Sequence, residues 1–282
     1  MAGILTGLSS LGLDNLENTN IFGEEVKTEQ QKAEEAVKAP EEKDYLIDKS
    51  YECVVCSASF SNKIIKTGKA KLIGTDLDLR PRYNVVDMTK YDVVVCPACG
   101  YASLTRFWGN LSDKQIRLIK DNISQKVRFW EPKGGTYTYA EALERYKLAL
   151  ASAVVKNTKV SEKAYICLKA AWVLRGQAEN LPEDTLARAK KLKDIEEEEN
   201  SFLRNAYDGF TAARAKEIPP YCGMDNFTVD YLLAVLALRF QDYEVSSRLI
   251  SGLLASTAAE RMKDKARDLK ELLKQDMKKN NK

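Results

Sequence analysis

Two cysteine pairs, Cys53-Val54-Val55-Cys56 and Cys96-Pro97-Ala98-Cys99, flank a 39-residue stretch from 57 to 95. A C-x-x-C segment lets one tight turn aim two thiolates at a single point. Two such turns supply four soft ligands at the corners of a tetrahedron, the arrangement Zn²⁺ prefers. Gly100 and Tyr101 follow the second pair. A glycine there takes positive φ at no steric cost, so backbone N–H groups can turn toward the sulfurs. The pattern predicts one structural Zn²⁺ held by Cys53, Cys56, Cys96 and Cys99. Four thiolates leave no open coordination position for hydrolytic chemistry. Rubredoxin-like iron and a dithiol redox pair are the alternatives, because tetrahedral sulfur also suits iron and C-x-x-C also suits exchange.

The chain contains no histidine. That removes the commonest general base and the commonest nitrogen ligand together. Catalysis would have to use carboxylates, Lys, Tyr or Cys, and no arrangement of them marks a catalytic residue. Two cysteines lie outside the pairs. Cys167 stands among Tyr165, Ile166 and Leu168 and reads as a small core residue. Cys222 reads as a loop thiol with no base to activate it. This cysteine usage fits a reducing compartment, and the reading is a cytoplasmic protein. No apolar run reaches the roughly 18 residues of a membrane span, and Met1 to Leu16 lacks the basic start of a signal peptide.

Charge divides the chain. Residues 1–52 hold 5 Lys and 12 Asp or Glu, a balance of −7, which leaves +10 on the remainder. Residues 24–43 are rich in Glu, Lys, Gln and Ala and lack aromatics, so they read as a linker or frayed helix. The expected organisation is an acidic flexible arm over 1–50, a cysteine module over 51–108 and a helical domain over 109–282. In the module, strands are expected near 69–74 and 91–96. Beyond it, Ser112 with Gln115 and Thr138 with Glu141 form capping boxes ahead of apolar residues at helical spacing. Further helices are expected over 161–178, 183–216, 228–240, 243–255 and 257–278, with a break at Pro219-Pro220. Tyr139, Ala142, Tyr146, Ala149 and Leu150 follow a tetratricopeptide-like pattern, echoed by Leu233, Ala234, Ala237, Asp242, Tyr243 and Leu253. Tyr139 and Tyr243 are 104 residues apart, near three periods of about 34. The fold class is therefore α+β: a small zinc-ribbon-like β module followed by an all-α, tetratricopeptide-like domain.

The module also carries a longer signature. Cys53-x-x-Cys56 is followed by Lys71-Leu72-Ile73, by Asp76-x-Asp78-x-Arg80-Pro81-Arg82-Tyr83, and by Tyr91-Asp92 leading into Cys96-Pro97-x-Cys99-Gly100-Tyr101-Ala102. Over about 51–130 this resembles the bacterial domain-of-unknown-function family 2225. The resemblance implies a cytoplasmic bacterial protein that couples a cysteine module to tetratricopeptide-like helices. It implies no activity. One departure is Ser57-Ala58, where the first pair of the family commonly continues with a glycine.

Asp76, Asp78, Arg80, Arg82 and Tyr83 are the candidate ligand-binding residues. Two arginines around a rigid proline can clamp a phosphate or carboxylate. The alternative is a loop held by its own ion pairs. Lys63, Lys66, Lys69 and Lys71 suggest one exposed strand edge. With Tyr83, Tyr101 and Phe107 to stack bases, they raise the alternative of a nucleic-acid-binding zinc ribbon. The favoured reading is a non-enzymatic zinc protein whose repeat-like helices bind a protein or peptide. The groove is expected between the 139–180 and 228–255 helices, extended toward Arg80-Pro81-Arg82.

Overall fold

Each cysteine pair lies in the loop of a β-hairpin. The computed structural model describes residues 41–109, 111–127, 135–183 and 188–280. Most of the acidic arm and residues 24–40 of the expected linker lie outside them. Leu46–Glu52 (β1) pairs antiparallel with Ser59–Ile65 (β2). Leu72–Thr75 (β3) pairs with Pro81–Tyr83 (β4), and Val93–Val95 (β5) with Ala102–Leu104 (β6). The strands expected near 69–74 and 91–96 are β3 and β5. β1 and β2 carry no signal of alternation. Most of their side chains are exposed or half-buried, so neither face had to be apolar.

The helices are Asp113–Ile119 (α1), Tyr139–Val155 (α2), Val160–Glu179 (α3), Arg188–Lys216 (α4), Asn226–Arg239 (α5), Tyr243–Ala255 (α6) and Glu260–Asn280 (α7). Both capping boxes form as the sequence requires: the Ser112 and Thr138 hydroxyls accept from the Gln115 and Glu141 N–H groups, and those side chains reach back. α1 ends in a single π-helical turn, Lys120–Ser124, which keeps Ile119 and Ile123 on the buried side. The architecture is α+β, with small antiparallel strand pairs near the N-terminus and helices after them. The described elements belong to one unit, Glu42–Lys282.

From α2 to α7 each helix packs on the next in sequence, and α5 also touches α7. α2 additionally lies against β5 and β6. Its Ala142, Ala149 and Ala153 are fully buried with Val93, Val95, Ala102 and Leu104. Small side chains let the helix backbone come close to the strands. Strands and helices thus share one core. Ala164, Leu168, Ala171 and Trp172 of α3 form a second core with Leu203 and Phe210 of α4 and with Val229, Leu232 and Leu236 of α5. Gly209 is needed in α4, because a Cβ there would sit 2.7 Å from that of Ala164. This second core joins α3, α4 and α5, and a small cleft of 170 Å³ lined by Leu77, Asp78, Arg175, Val235 and Arg239 stays open between α3 and α5, where the sequence suggested a groove.

Candidate metal centre

The two cysteine loops, 53–58 and 96–101, repeat one backbone design. Cys53 N–H donates to the Ala58 carbonyl at 2.9 Å and Ser57 N–H to the Cys53 carbonyl at 2.8 Å. Cys96 N–H donates to Tyr101 at 2.9 Å and Gly100 N–H to Cys96 at 2.9 Å. The residue after each second cysteine has positive φ, 60° at Ser57 and 70° at Gly100. Serine therefore takes the conformation that glycine takes more easily.

The loops face each other. Sγ of Cys53 lies 3.6 Å from that of Cys99, and Sγ of Cys56 lies 3.6 Å from that of Cys96. All four sulfurs are within 4.8 Å of one another. Bonds of about 2.3 Å from one ion to four thiolates give tetrahedral edges of roughly 3.8 Å, so these spacings suit a four-coordinate metal. All four are free thiols rather than disulfides. Val55 N–H points at Cys53 Sγ from 3.4 Å. Hydrogen bonds from Cys53 and Cys99, helped by the Cys99 and Ala98 N–H groups, pull the Cys96 thiol down to about 4. The same crowding pushes Cys99 up. Four sulfurs packed this closely favour a cation that lets all of them ionise.

Burial completes the site. Cys53, Cys96 and Cys99 are buried with Tyr101, Ile119 and Ile123, while Cys56 reaches solvent. Trp108 joins the two hairpins beside the sulfurs. Its ring lies 5.0 Å from Tyr101, 5.7 Å from Phe60 and 5.8 Å from Tyr51. Tyr51 and Phe60 are cross-strand partners in the β1–β2 register and stack at 5.9 Å. Sequence reasoning missed this cluster. The one available signal was an aromatic residue on each flank of the first cysteine loop.

The Asp76–Tyr83 residues do come together, but around partners in the helices. Asp78, 4% exposed, accepts from Trp172 Nε1 at 3.1 Å and from both Arg175 Nη atoms at 2.9 and 2.7 Å. Arg175 also binds Glu199 and Asp76. Arg80 is buried against Glu179 at 3.1 Å, Asp87 at 3.4 Å and Asp76 at 3.7 Å. Arg82 bridges Asp76 at 2.9 Å and Glu179 at 2.6 Å. Burial alone would raise the Glu179 carboxyl, but hydrogen bonds from Arg82 and the charge of Arg80 hold it below its ordinary value. Tyr83 sits at the margin of this network, half-buried, and loss of solvent raises its phenol.

The four lysines do not form one edge. Lys63 lies in β2 and pairs with Asp48 at 2.7 Å, Lys66 donates to the Asp44 carbonyl at 2.7 Å, and Lys69 and Lys71 belong to the segment before β3. Tyr101 is fully buried, so its ring is closed to a base. Burial raises the thiols of Cys167 and Cys222 to about 11 and 12, away from the nucleophilic thiolate.

No helix among the described residues is long and apolar enough to cross a membrane. No curated protein and no solved structure matches the chain. A family model described as "Uncharacterized protein conserved in bacteria (DUF2225)" matches residues 46–273. That stretch runs from the first residue of β1 into α7, taking in both cysteine hairpins and the helices packed on them: the chain belongs to the DUF2225 family.

Proposed function

We propose that this is a non-enzymatic zinc protein, in which a Cys₄ centre staples two hairpins and the stacked helices bind a protein or peptide. The observation that carries the metal assignment is the convergence of four Sγ atoms within 4.8 Å from two loops of matching backbone design. Closed thiolate sets of this kind favour Zn²⁺, whose role there is to lock structure. Partner binding is supported by helices packed in sequence order, which present an extended surface. It is also supported by the exposed apolar strand β3, where Leu72 and Ile73 are 58% and 69% accessible. The ion pairs around Arg80 and Arg82 are assigned to holding the β3–β4 hairpin on α3.

Elemental analysis of protein purified without added metal tests the centre. One zinc per chain is expected, and iron alone or a value near zero contradicts it. Affinity capture with the full chain from a bacterial lysate tests the second half. Recovery of one protein in independent preparations supports the reading. Recovery of DNA or RNA in a salt-dependent manner would transfer it to nucleic-acid binding.

A further inference from the structure

Between the segment that follows β6 and the start of α3 lies a cleft of 750 Å³. Small-molecule sites commonly enclose about 300–1,000 Å³ and occur where substructures meet. Its walls come from distant parts of the chain: Arg106 and Trp108 after β6, Lys156 and Lys159 at the α2–α3 turn, Glu162 in α3, and Cys222 in the loop before α5. Lys156 is 6% exposed and pairs with Glu162 at 3.4 Å, so these two charges cancel. Arg106 and Lys159 have no carboxylate partner among the described residues. Glu217 stands at the margin, its carboxylate accepting from the Val160 and Ser161 N–H groups at 2.7 and 3.2 Å, so the balance of the cleft and its margin is one positive charge, with Arg106 and Lys159 as its unpaired cations.

Arg106 is also held in place. Its Nη1 donates to the Cys222 carbonyl at 2.6 Å, which leaves Nε and Nη2 without a hydrogen-bond partner among the described residues. Gly223 makes room for this approach, since a Cβ there would sit 2.8 Å from Nη2. A guanidinium fixed at one nitrogen with a free edge matches two oxygens of one anion. The aromatic rings of Phe107 and Trp108 line the same cleft.

We propose that this cleft binds a phosphate monoester carrying a flat ring, of the nucleoside monophosphate class. A phosphate monoester bears about −1.5 to −2 near neutral pH, and the unpaired Arg106 and Lys159 cations are the groups that would meet it. The ring would rest on the aromatic wall. This assignment stands apart from the metal centre and from any protein partner.

Titration calorimetry on the full chain tests it, with AMP, adenosine and inorganic phosphate as probes and GMP, CMP and UMP as further monophosphates. AMP should bind at least about tenfold more tightly than adenosine or phosphate alone, because neither carries both halves of the contact. Lys159→Gln should weaken AMP about tenfold without moving the melting temperature, since the Lys159 side chain has no hydrogen bond or ion pair among the described residues. Arg106→Gln should weaken it as much or more, and Lys270→Gln, on exposed α7, should leave it unchanged. Three results would overturn the proposal: no heat from any monophosphate at millimolar concentration, adenosine binding as well as AMP, or affinity untouched by Lys159→Gln.

Discussion

Ser57 and Gly100 occupy equivalent positions in the two cysteine loops, with φ of 60° and 70°. An L-residue held in this region costs about 1–2 kcal/mol relative to the right-handed one, and glycine escapes that cost. Ser57→Gly should therefore stabilise the protein by about 0.5–1 kcal/mol, after allowing for the greater freedom glycine has when unfolded. Gly100→Ala should destabilise by about 1–3 kcal/mol, because its Cβ would meet Val127 Cγ1 at 2.8 Å as well as taking positive φ. Denaturant melts of the two variants check both signs. Opposite shifts are expected, and equal shifts would break the equivalence of the loops. The glycine after Cys99 and the departure at Ser57 were both readable in the sequence, because a loop of six residues is governed by local geometry. The packing of Trp108 against Tyr51, Phe60 and Tyr101 was not. It depends on two hairpins meeting across some forty residues of chain.

At the scale of elements, helices were the most legible. Their caps and apolar spacing are local, and the capping boxes at Ser112 and Thr138 place two helix starts to the residue. The β3–β4 hairpin was legible only in part. Its charged residues were identified, but the partners Arg175, Glu179 and Glu199 lie on α3 and α4, roughly a hundred residues away. No short-range rule links such positions. Removing Arg175 would leave Asp78 buried beside Trp172 with its main countercharge gone. Arg175→Met should cost about 3 kcal/mol, the usual penalty for breaking a buried pair from one side. Glu179 gives the network a pH signature. Its folded pKa lies below the ordinary 4.5, so its contribution is complete above that value and is lost as pH falls through the folded pKa. Stability curves below pH 5 should therefore fall less steeply for Glu179→Gln than for the wild type. Parallel acid limbs would show that Glu179 is not held by Arg80 and Arg82.

Across the whole molecule, the cysteine hairpins and the helices are not independent. β5 and β6 contribute Val93, Val95, Ala102 and Leu104 to the same core as α2 and α3. Loosening the loop at Cys96 should propagate into that core. Metal-coupled folding can reach about 10 kcal/mol in zinc peptides, whereas a buried Cys→Ser change elsewhere costs about 1–3 kcal/mol. Cys96→Ser should lower the melting temperature far more than Cys167→Ser, although both residues are buried. Equal losses would mean that no metal reinforces the hairpins. Sequence reasoning expected a groove between the early and late helices because repeat-like hairpins often leave one. Trp172, Leu232 and Leu236 are drawn into the core beneath it, so that only a cleft of 170 Å³ beside Leu77, Asp78, Arg175 and Arg239 stays open there. The central claim is that four sulfurs bind one zinc ion, and X-ray absorption at the zinc edge of the purified protein tests it most directly. A first shell of four sulfurs at about 2.3 Å is the expected result; oxygen or nitrogen in that shell, or iron in place of zinc, would contradict it.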